Sequence, residues 1–398
     1  MQMPEVLEQI APNCLHENQC GACSDLGMSY QDHLNRKLER TQKLFEKYTA
    51  ELQDILPCKA PLNYRHKVQL PFGIKKVGGE KQSIAGPYVP KSHQVIAQEE
   101  CHIQEDALNK AVQAIVQWAN DTHIPIYNEM KKNGVLRHLC LRQSKYHREV
   151  LVGLVVARPL KTDDKFILPL VELLRNALGP THHLAGIIED HNEREGNTVL
   201  SGKERVLWGK GHFREKLGEL HFELGLGTFF QINTWQTPTL YDAILNFTPE
   251  NSHVLELYSG TGSIGLWLSP KAQMVMGIEI NRSSVLAAEQ AARLNGIHNT
   301  RFLCGDAQEL LAQTPIGSFD CVVVDPPRKG LSNRILHTLT NKPTQTMIYT
   351  SCNPKSLLRD LEVLETAYDV ACIQPVDMFP FTPHVELVVA LNKKPTKR

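Results

Sequence analysis

The chain has 398 residues, 43 basic and 43 acidic side chains, and 42% hydrophobic against 22% charged residues. That length exceeds one ordinary core and points to two or three domains, while zero net charge excludes a highly basic nucleic-acid coat protein but not a local basic surface. No run approaches the ~18 apolar residues of a membrane span, and MQMPEVLEQIAPN lacks the basic start and apolar core of a secretory signal, so a cytoplasmic protein without membrane contact is expected.

Ten cysteines in a cytosolic chain read as metal ligands, catalysts or buried small residues rather than disulfides. Cys14, Cys20 and Cys23 share one irregular stretch, and packing alone does not explain them. Thiolates so clustered bind zinc or an iron–sulfur cluster, although zinc sites usually show two C-x-x-C pairs and only one occurs here. A long helical pattern follows, with Leu34, Leu38, Phe45, Tyr48, Leu52 and Ile55 on one face. Arg36, Arg40, Lys43 and Lys47 fall on the other, as a solvated surface or a phosphate-binding stripe.

Residues 62–225 are rich in short β-like runs broken by helical stretches near 104–119 and 168–178, an α+β pattern. Val135–Leu141 and Val150–Ala157 read as neighbouring strands, with Leu184–Glu189 and Thr198–Leu200 as others. Lys131, Lys132, Arg137, Arg142, Lys145 and Arg148 form a second candidate basic patch.

From about 252 the rhythm becomes strand–helix alternation. Strands are expected at Val254–Tyr258, Met274–Glu279, Thr300–Cys304, Phe319–Asp325 and Thr346–Thr350, with helices between. This predicts a doubly wound parallel sheet with ligands at its carboxyl edge. Ala371–Asp377 and Val385–Leu391 fit a closing antiparallel pair.

Gly260 and Gly262 follow the first of these strands in a G-x-G turn, which is weak evidence on its own. Glu279 strengthens it, because a carboxylate about 20 residues on can hold ribose hydroxyls. Asp306 and Asp325 end the next strands. Acids along one edge suit a cationic nucleoside without phosphate, such as S-adenosylmethionine; the competing reading is a glycine turn with helix-capping acids. Cys352 sits in Ser351-Cys352-Asn353-Pro354 at another strand end, as a nucleophile or as a small turn residue. Cys58, Cys140, Cys304, Cys321 and Cys372 take the structural reading, with Cys304 and Cys321 in buried-strand patterns.

FFQIN (229–233), ELYSGTG (256–262), DPPRKG (325–330), SCNP (351–354) and FPFTPHVEL (379–387), in this order, resemble the RNA uracil-5-methyltransferase family. Cys14-x5-Cys20-x2-Cys23 with Cys101 resembles its iron–sulfur branch, and the likeness runs from residue 14 to about 391. It implies a Rossmann-like S-adenosylmethionine-dependent methyltransferase domain at 226–398, a cluster-bearing N-terminal region at 1–105 and a central α+β region at 106–225. It implies Cys352 as nucleophile and Glu386 as base, with Gln231 near the methyl donor and the uracil edge. Tyr258, Ser263, Glu279 and Asp306 match cofactor contacts, and Asp325 lies where cofactor and base meet. Residues 263 and 306 are Ser and Asp where some members carry Asn. Cys101 is the implied fourth ligand of a [4Fe–4S] cluster, with Cys58 as rival. Some members begin with a small RNA-binding β-barrel, expected to be absent here because the chain starts almost at Cys14, which leaves RNA to 62–225 and the basic helix face. Ribosomal RNA is the preferred partner, tRNA the alternative, and a monomer is expected. An amino-group methyltransferase would need an aromatic residue where Arg328 stands; a non-catalytic RNA-binding protein would not need Cys352 and Glu386.

Overall fold

A computed structural model describes residues 9–160, 164–194, 196 and 198–395. A short helix α1 (Glu17–Cys20) lies in the cysteine-rich stretch and α2 (Tyr30–Leu44) follows. Strands β1 (Lys67–Val77) and β2 (Glu80–Ala85) form a hairpin. Then come α3 (Asp106–Asp121), β3 (Leu136–Gln143), β4 (Glu149–Val156), α4 (Asp164–Leu178), β5 (His183–His191) and β6 (Glu204–Gly209). These strands form a six-stranded sheet in the order β2-β1-β3-β4-β5-β6, which draws strands from both sides of residue 105. The pairing of β3 with β4 is antiparallel, as expected for neighbouring strands. Thr198–Leu200 is not a strand. The carbonyls of Thr198 and Val199 accept from Asn192 Nδ2 at 2.7 and 2.8 Å, so a side chain satisfies what a ladder would have.

After the hairpin β7 (His212–Leu217) and β8 (Leu220–Gly225), helix α5 (Thr237–Phe247) leads into the second sheet. Its elements are β9 (His253–Leu257), α6 (Ser263–Leu268), β10 (Met274–Glu279), α7 (Arg282–Leu294), β11 (Thr300–Cys304), α8 (Ala307–Gln313), β12 (Cys321–Val324), α9 (Asn333–Asn341), β13 (Thr346–Ser351), α10 (Pro354–Leu364), β14 (Tyr368–Val376) and β15 (Glu386–Lys393). The seven strands run in the order β11-β10-β9-β12-β13-β15-β14. Pairs from β11 through β13 are parallel; β15 is antiparallel to both β13 and β14. Alternate residues feed cores on opposite faces: Val254, Val323, Ile348 and Val388 on one, Leu255, Val322, Met347, Leu387 and Val389 on the other. Burial on both faces explains the continuous apolar runs of the central strands. Cys304 is exposed, against expectation, because β11 is the edge strand and only Phe302 in it is buried. Among the described residues no helix is long and apolar enough to cross a membrane.

The predicted long helix stops at Leu44. Leu52 and Leu56 instead bridge Ile373 and Val376 of β14, so this segment is extended beside the sheet. The buried face of α2 is also more polar than expected: Tyr30, His33, Leu34, Lys37 and Thr41. The reason is counter-charge from outside the helix. Lys37 Nζ lies 2.5 Å from Asp377 Oδ1 with both side chains almost fully buried, and His33 Nδ1 lies 3.2 Å from Asp25. Arg36 and Arg40 reach the same Asp25, at 2.9 and 3.8 Å, and Lys47 pairs with Glu365. Most of the expected phosphate stripe is thus engaged within the protein.

Candidate active site

The carboxyl edge of the second sheet gathers the predicted residues onto adjoining loops. Tyr258 follows β9 with a left-handed φ of 65°. Gly262 is left-handed as well, at 71°, and a Cβ there would lie 2.5 Å from Phe302. Gly265 completes a G-x-G-x-x-G spacing with Gly260 and Gly262, which the sequence reading missed. A Cβ at Gly265 would meet Glu256 Oε2 at 2.6 Å, so the third glycine makes room for a buried carboxyl. Glu256 was also missed as a site residue. It is 1% exposed, and burial, followed by the charge of Asp325, pushes its carboxyl well above the usual range.

Glu279 ends β10 and turns back on the glycine loop, accepting from Gly260 N at 3.0 Å and Asn281 N at 2.7 Å. Asp306 caps α8 by accepting from Gln308 N at 2.7 Å, so the capping reading holds for one of its oxygens. Ser263 opens α6 with its hydroxyl 2.7 Å from the buried Tyr241 hydroxyl. Gln231 is buried in the 229–233 loop, which is anchored by Asn233 Nδ2 donating to Met378 O at 3.0 Å.

Three further loops are tied together around Cys352. Asn353 Nδ2 donates to Arg328 O at 2.7 Å, and Ser356 Oγ donates to the same carbonyl at 3.1 Å. Arg359 donates to Lys329 O at 2.9 Å, and Asp360 accepts from Leu331 N and Tyr349 Oη, both at 2.7 Å. Arg328 Nη2 approaches His384 Nδ1 at 3.4 Å, joining the 325–330 loop to the 379–384 loop. Asn353 therefore fixes the loop that carries Cys352 to the DPPR loop, a role its motif position alone does not reveal.

The charges at this junction act on one another. Burial pushes the Cys352 thiol up to about 11; Glu386 and Asp325 add to the rise while Arg328 opposes it. Burial lifts Asp325 above the usual carboxylate range. Glu386, 4% exposed as the first residue of β15, is lifted by burial and by Asp325. The junction thus holds a thiol and two carboxyls, and burial favours the protonated form of each.

The 379–384 loop is held from the N-terminal side. Lys37 Nζ donates to Phe379 O at 2.9 Å, Tyr64 Oη to Pro380 O at 3.0 Å, and Ser24 N to Phe381 O at 3.2 Å. Phe381 has a left-handed φ of 59°, is fully buried, and donates its N–H to His33 Nε2 at 3.0 Å.

Cys14, Cys20, Cys23 and Cys101 line one small pocket with Gly21 and His102. All four are free, and Cys14 Sγ accepts from His16 N at 3.4 Å. Among the described residues, no three His, Cys, Asp or Glu are arranged to hold a metal ion. Convergent free thiols nonetheless have the donor chemistry of an iron–sulfur site. Cys58 is elsewhere, packed with Tyr30, Leu34 and Phe381. A cleft of about 830 Å³ between β1, residues 88–97 and residues 126–130 holds none of the predicted catalytic residues.

Residues 201–394 match the tRNA (uracil-5-)-methyltransferase family profile. A Leptospira interrogans protein named an uncharacterized RNA methyltransferase is 35% identical over 387 residues, covering 96% of this chain and 98% of its own. The chain belongs to the RNA (uracil-5-)-methyltransferase family. A Halalkalibacterium halodurans protein, also named an uncharacterized RNA methyltransferase, is 34% identical over 97% of this chain and 84% of its own. The crystal structure of Pyrococcus abyssi tRNA (uracil-54, C5)-methyltransferase in complex with S-adenosyl-L-homocysteine shares the fold. Its TM-score is 0.75 at 24% identity, over 92% of this chain and 84% of that one. Membership makes this chain an RNA methyltransferase with a Rossmann-like catalytic domain.

Proposed function

We propose that this methyltransferase transfers a methyl group from S-adenosylmethionine to C5 of a uridine in 23S rRNA. The tying of the loops that carry Cys352, Arg328 and His384 to one another at the sheet edge, beside the buried Glu386, is the observation that carries the reading. C5 of uracil is a poor nucleophile. Cys352 gives up its thiol proton to water, and addition of the resulting thiolate to C6 makes the ring an enolate that is nucleophilic at C5. After methylation, Glu386 in its ionised form takes the C5 proton, the C6–S bond breaks, and the thiolate leaves. The donor, when bound, supplies an electrophilic methyl and a positive charge beside the acids. Tyr258, Ser263, Glu279 and Asp306 are assigned to hold it, with Gln231 and Asp325 facing both donor and uracil. Ile280, 67% exposed beside Glu279, offers an apolar face next to the acid assigned to ribose. Cys14, Cys20, Cys23 and Cys101 are assigned to a [4Fe–4S] cluster with a structural role, joining the 14–23 loop to residue 101. We further propose that residues 1–105, 106–225 and 226–398 act as cluster-bearing, central and catalytic regions of a cytoplasmic monomer. Transfer RNA is the second reading, favoured by the description of the matched family.

Incubation with labelled S-adenosylmethionine and rRNA or tRNA, followed by mapping of 5-methyluridine, tests the reaction and the substrate together. Cys352→Ala should abolish transfer and every covalent adduct. Glu386→Gln, nearly isosteric but unable to accept the proton, should accumulate methylated RNA joined to Cys352. Normal turnover by Glu386→Gln would remove Glu386 as the base. Anaerobically purified protein should carry iron and sulfide, retained by Cys58→Ser and lost by Cys101→Ser; stoichiometric zinc would overturn the cluster assignment.

A further inference from the structure

Four residues beyond Gln231, Trp235 projects from the loop that carries it. Trp235 is 49% exposed although its neighbours Asn233 and Gln236 are fully buried. Asn233 accepts from Thr237 N at 3.0 Å, so the ring stands on a fixed helix entry rather than a loose loop. Lys145 Nζ lies 4.4 Å from the centroid of the Trp235 ring, covering one face. The next residue, Tyr146, is 61% exposed, and Lys216 Nζ lies 5.0 Å from its ring centroid.

The turn between β3 and β4 that displays Tyr146 is unusually well fixed. One buried carboxylate, Glu215, accepts from Lys145 N at 2.8 Å, Tyr146 N at 3.2 Å and Ser144 Oγ at 3.1 Å. A single exposed aromatic needs no explanation. Two, linked through Lys145, each backed by a cation and each on a rigid support, follow directly on the loop that carries Gln231. Lys145 and Lys216 are partnered by Glu105 and Glu219, so the rings rather than bare charge are the dominant feature. His147 nevertheless stays toward the neutral form through burial and then Arg214, and His182 through burial and then Arg148, which marks a cationic surrounding.

Aromatic faces with cations beside them accept unpaired bases, because every base has a π-face and every nucleotide an anionic link. We propose that Trp235 and Tyr146, backed by Lys145 and Lys216, form a stacking track for unpaired nucleotides flanking the target uridine. The proposal rests on the RNA uracil-methylation reading. It adds that the substrate enters as an opened strand on the side of the β3–β4 turn.

The test uses the full chain and single-stranded RNA containing the unmodified target uridine, with 2-aminopurine at flanking positions. Wild-type protein should quench the probe on binding. Trp235→Ala and Tyr146→Ala should each raise the RNA Kd and KM on the order of 10-fold, relieve the quenching, and leave kcat and S-adenosylmethionine affinity unchanged. Trp235→Phe should keep most of the affinity, which separates stacking from misfolding. Pairing the flank with a complementary strand should weaken the wild type and not the double variant. A double Trp235→Ala/Tyr146→Ala protein with wild-type RNA affinity overturns the track and leaves the rings to a protein partner. Loss of 5-methyluridine formation in the wild type, with quenching intact, would instead sink the chemical reading and keep the track.

Discussion

On one side of Glu386 lies β15, whose Leu387, Val388, Val389 and Leu391 are fully buried between β13 and β14. On its other side lies the 377–384 segment, whose neighbours include a buried lysine, histidine and tyrosine from α2. The strand is held by apolar burial, which is strong but has little direction. The loop is held by hydrogen bonds and a buried ion pair, which have direction and fail abruptly when one partner is lost. A proposed base at this junction takes its depth from the strand and its aim from the loop.

Two lesions of similar stability effect should separate these contributions. Leu391→Ala leaves a cavity in the apolar core and should destabilise by about 2–5 kcal/mol. Lys37→Met strands Asp377 without its cation and should destabilise by about 3–5 kcal/mol. Their catalytic effects should differ. At temperatures where both are folded, Leu391→Ala should keep near wild-type kcat, whereas Lys37→Met frees Phe379 O and should lower kcat by up to ~10²-fold. Adding Asp377→Asn to Lys37→Met removes the lone charge, keeps an acceptor for Tyr30, and should recover much of the stability. Denaturant midpoints with single-turnover rates decide it; equal kcat losses in both lesions would mean that the loop does not aim the base.

Acid should loosen the loop before it loosens the strand. His33 accepts from Phe381 N–H at Nε2, so its proton sits on Nδ1 toward Asp25. That arrangement needs the neutral ring. Burial, and then Lys37, pull its pKa down to about 4 against the opposing charges of Asp377 and Asp25. Because the folded value lies below the unfolded one, this stability is full above pH ~6.5 and is lost as pH falls toward 4. The contribution is at most about 3 kcal/mol. Denaturant midpoints at pH 7, 5 and 4 should fall more steeply for wild type than for His33→Gln. Parallel slopes would show that His33 does not couple the loop to pH.

The apolar part of this comparison was legible in the sequence and the polar part was not. The central strands β9, β12, β13 and β15 announce themselves as buried runs, and their loops carry side chains whose chemistry points to a site. Nothing in the helical pattern marks Lys37, because its counterion, Asp377, lies 340 residues away. Leu52 and Ile55 kept a helical spacing, yet the partner that extends this segment, β14, is equally remote. Thr198–Leu200 has strand composition, but a single asparagine side chain satisfies its carbonyls. Gly265 was legible as the third glycine of a G-x-G-x-x-G spacing, but its reason, the close approach of the buried Glu256 carboxyl, is a contact that spacing does not show.

The smallest effect belongs to the outer face of α2. Arg36 and Arg40, about half exposed, were candidates for phosphate contact, and both instead point to the buried Asp25 carboxylate. Burial would raise the Asp25 pKa, but the Arg36 hydrogen bond, with His33 and Arg40, holds it below the usual range. Asp25 in turn fixes the ring of His33, so the two arginines act on the loop through an acid and an imidazole. Each Arg→Ala change should therefore destabilise by about 1 kcal/mol, as half-exposed ion pairs do. Neither should move RNA affinity or its salt dependence. Were the stripe a phosphate track, removing both arginines would flatten the log–log salt slope of RNA binding by about 1–2 units. A salt titration of Arg36→Ala/Arg40→Ala against wild type distinguishes the two. An unchanged slope with a lowered denaturant midpoint places these arginines with the polar scaffold, and a flattened slope returns them to RNA.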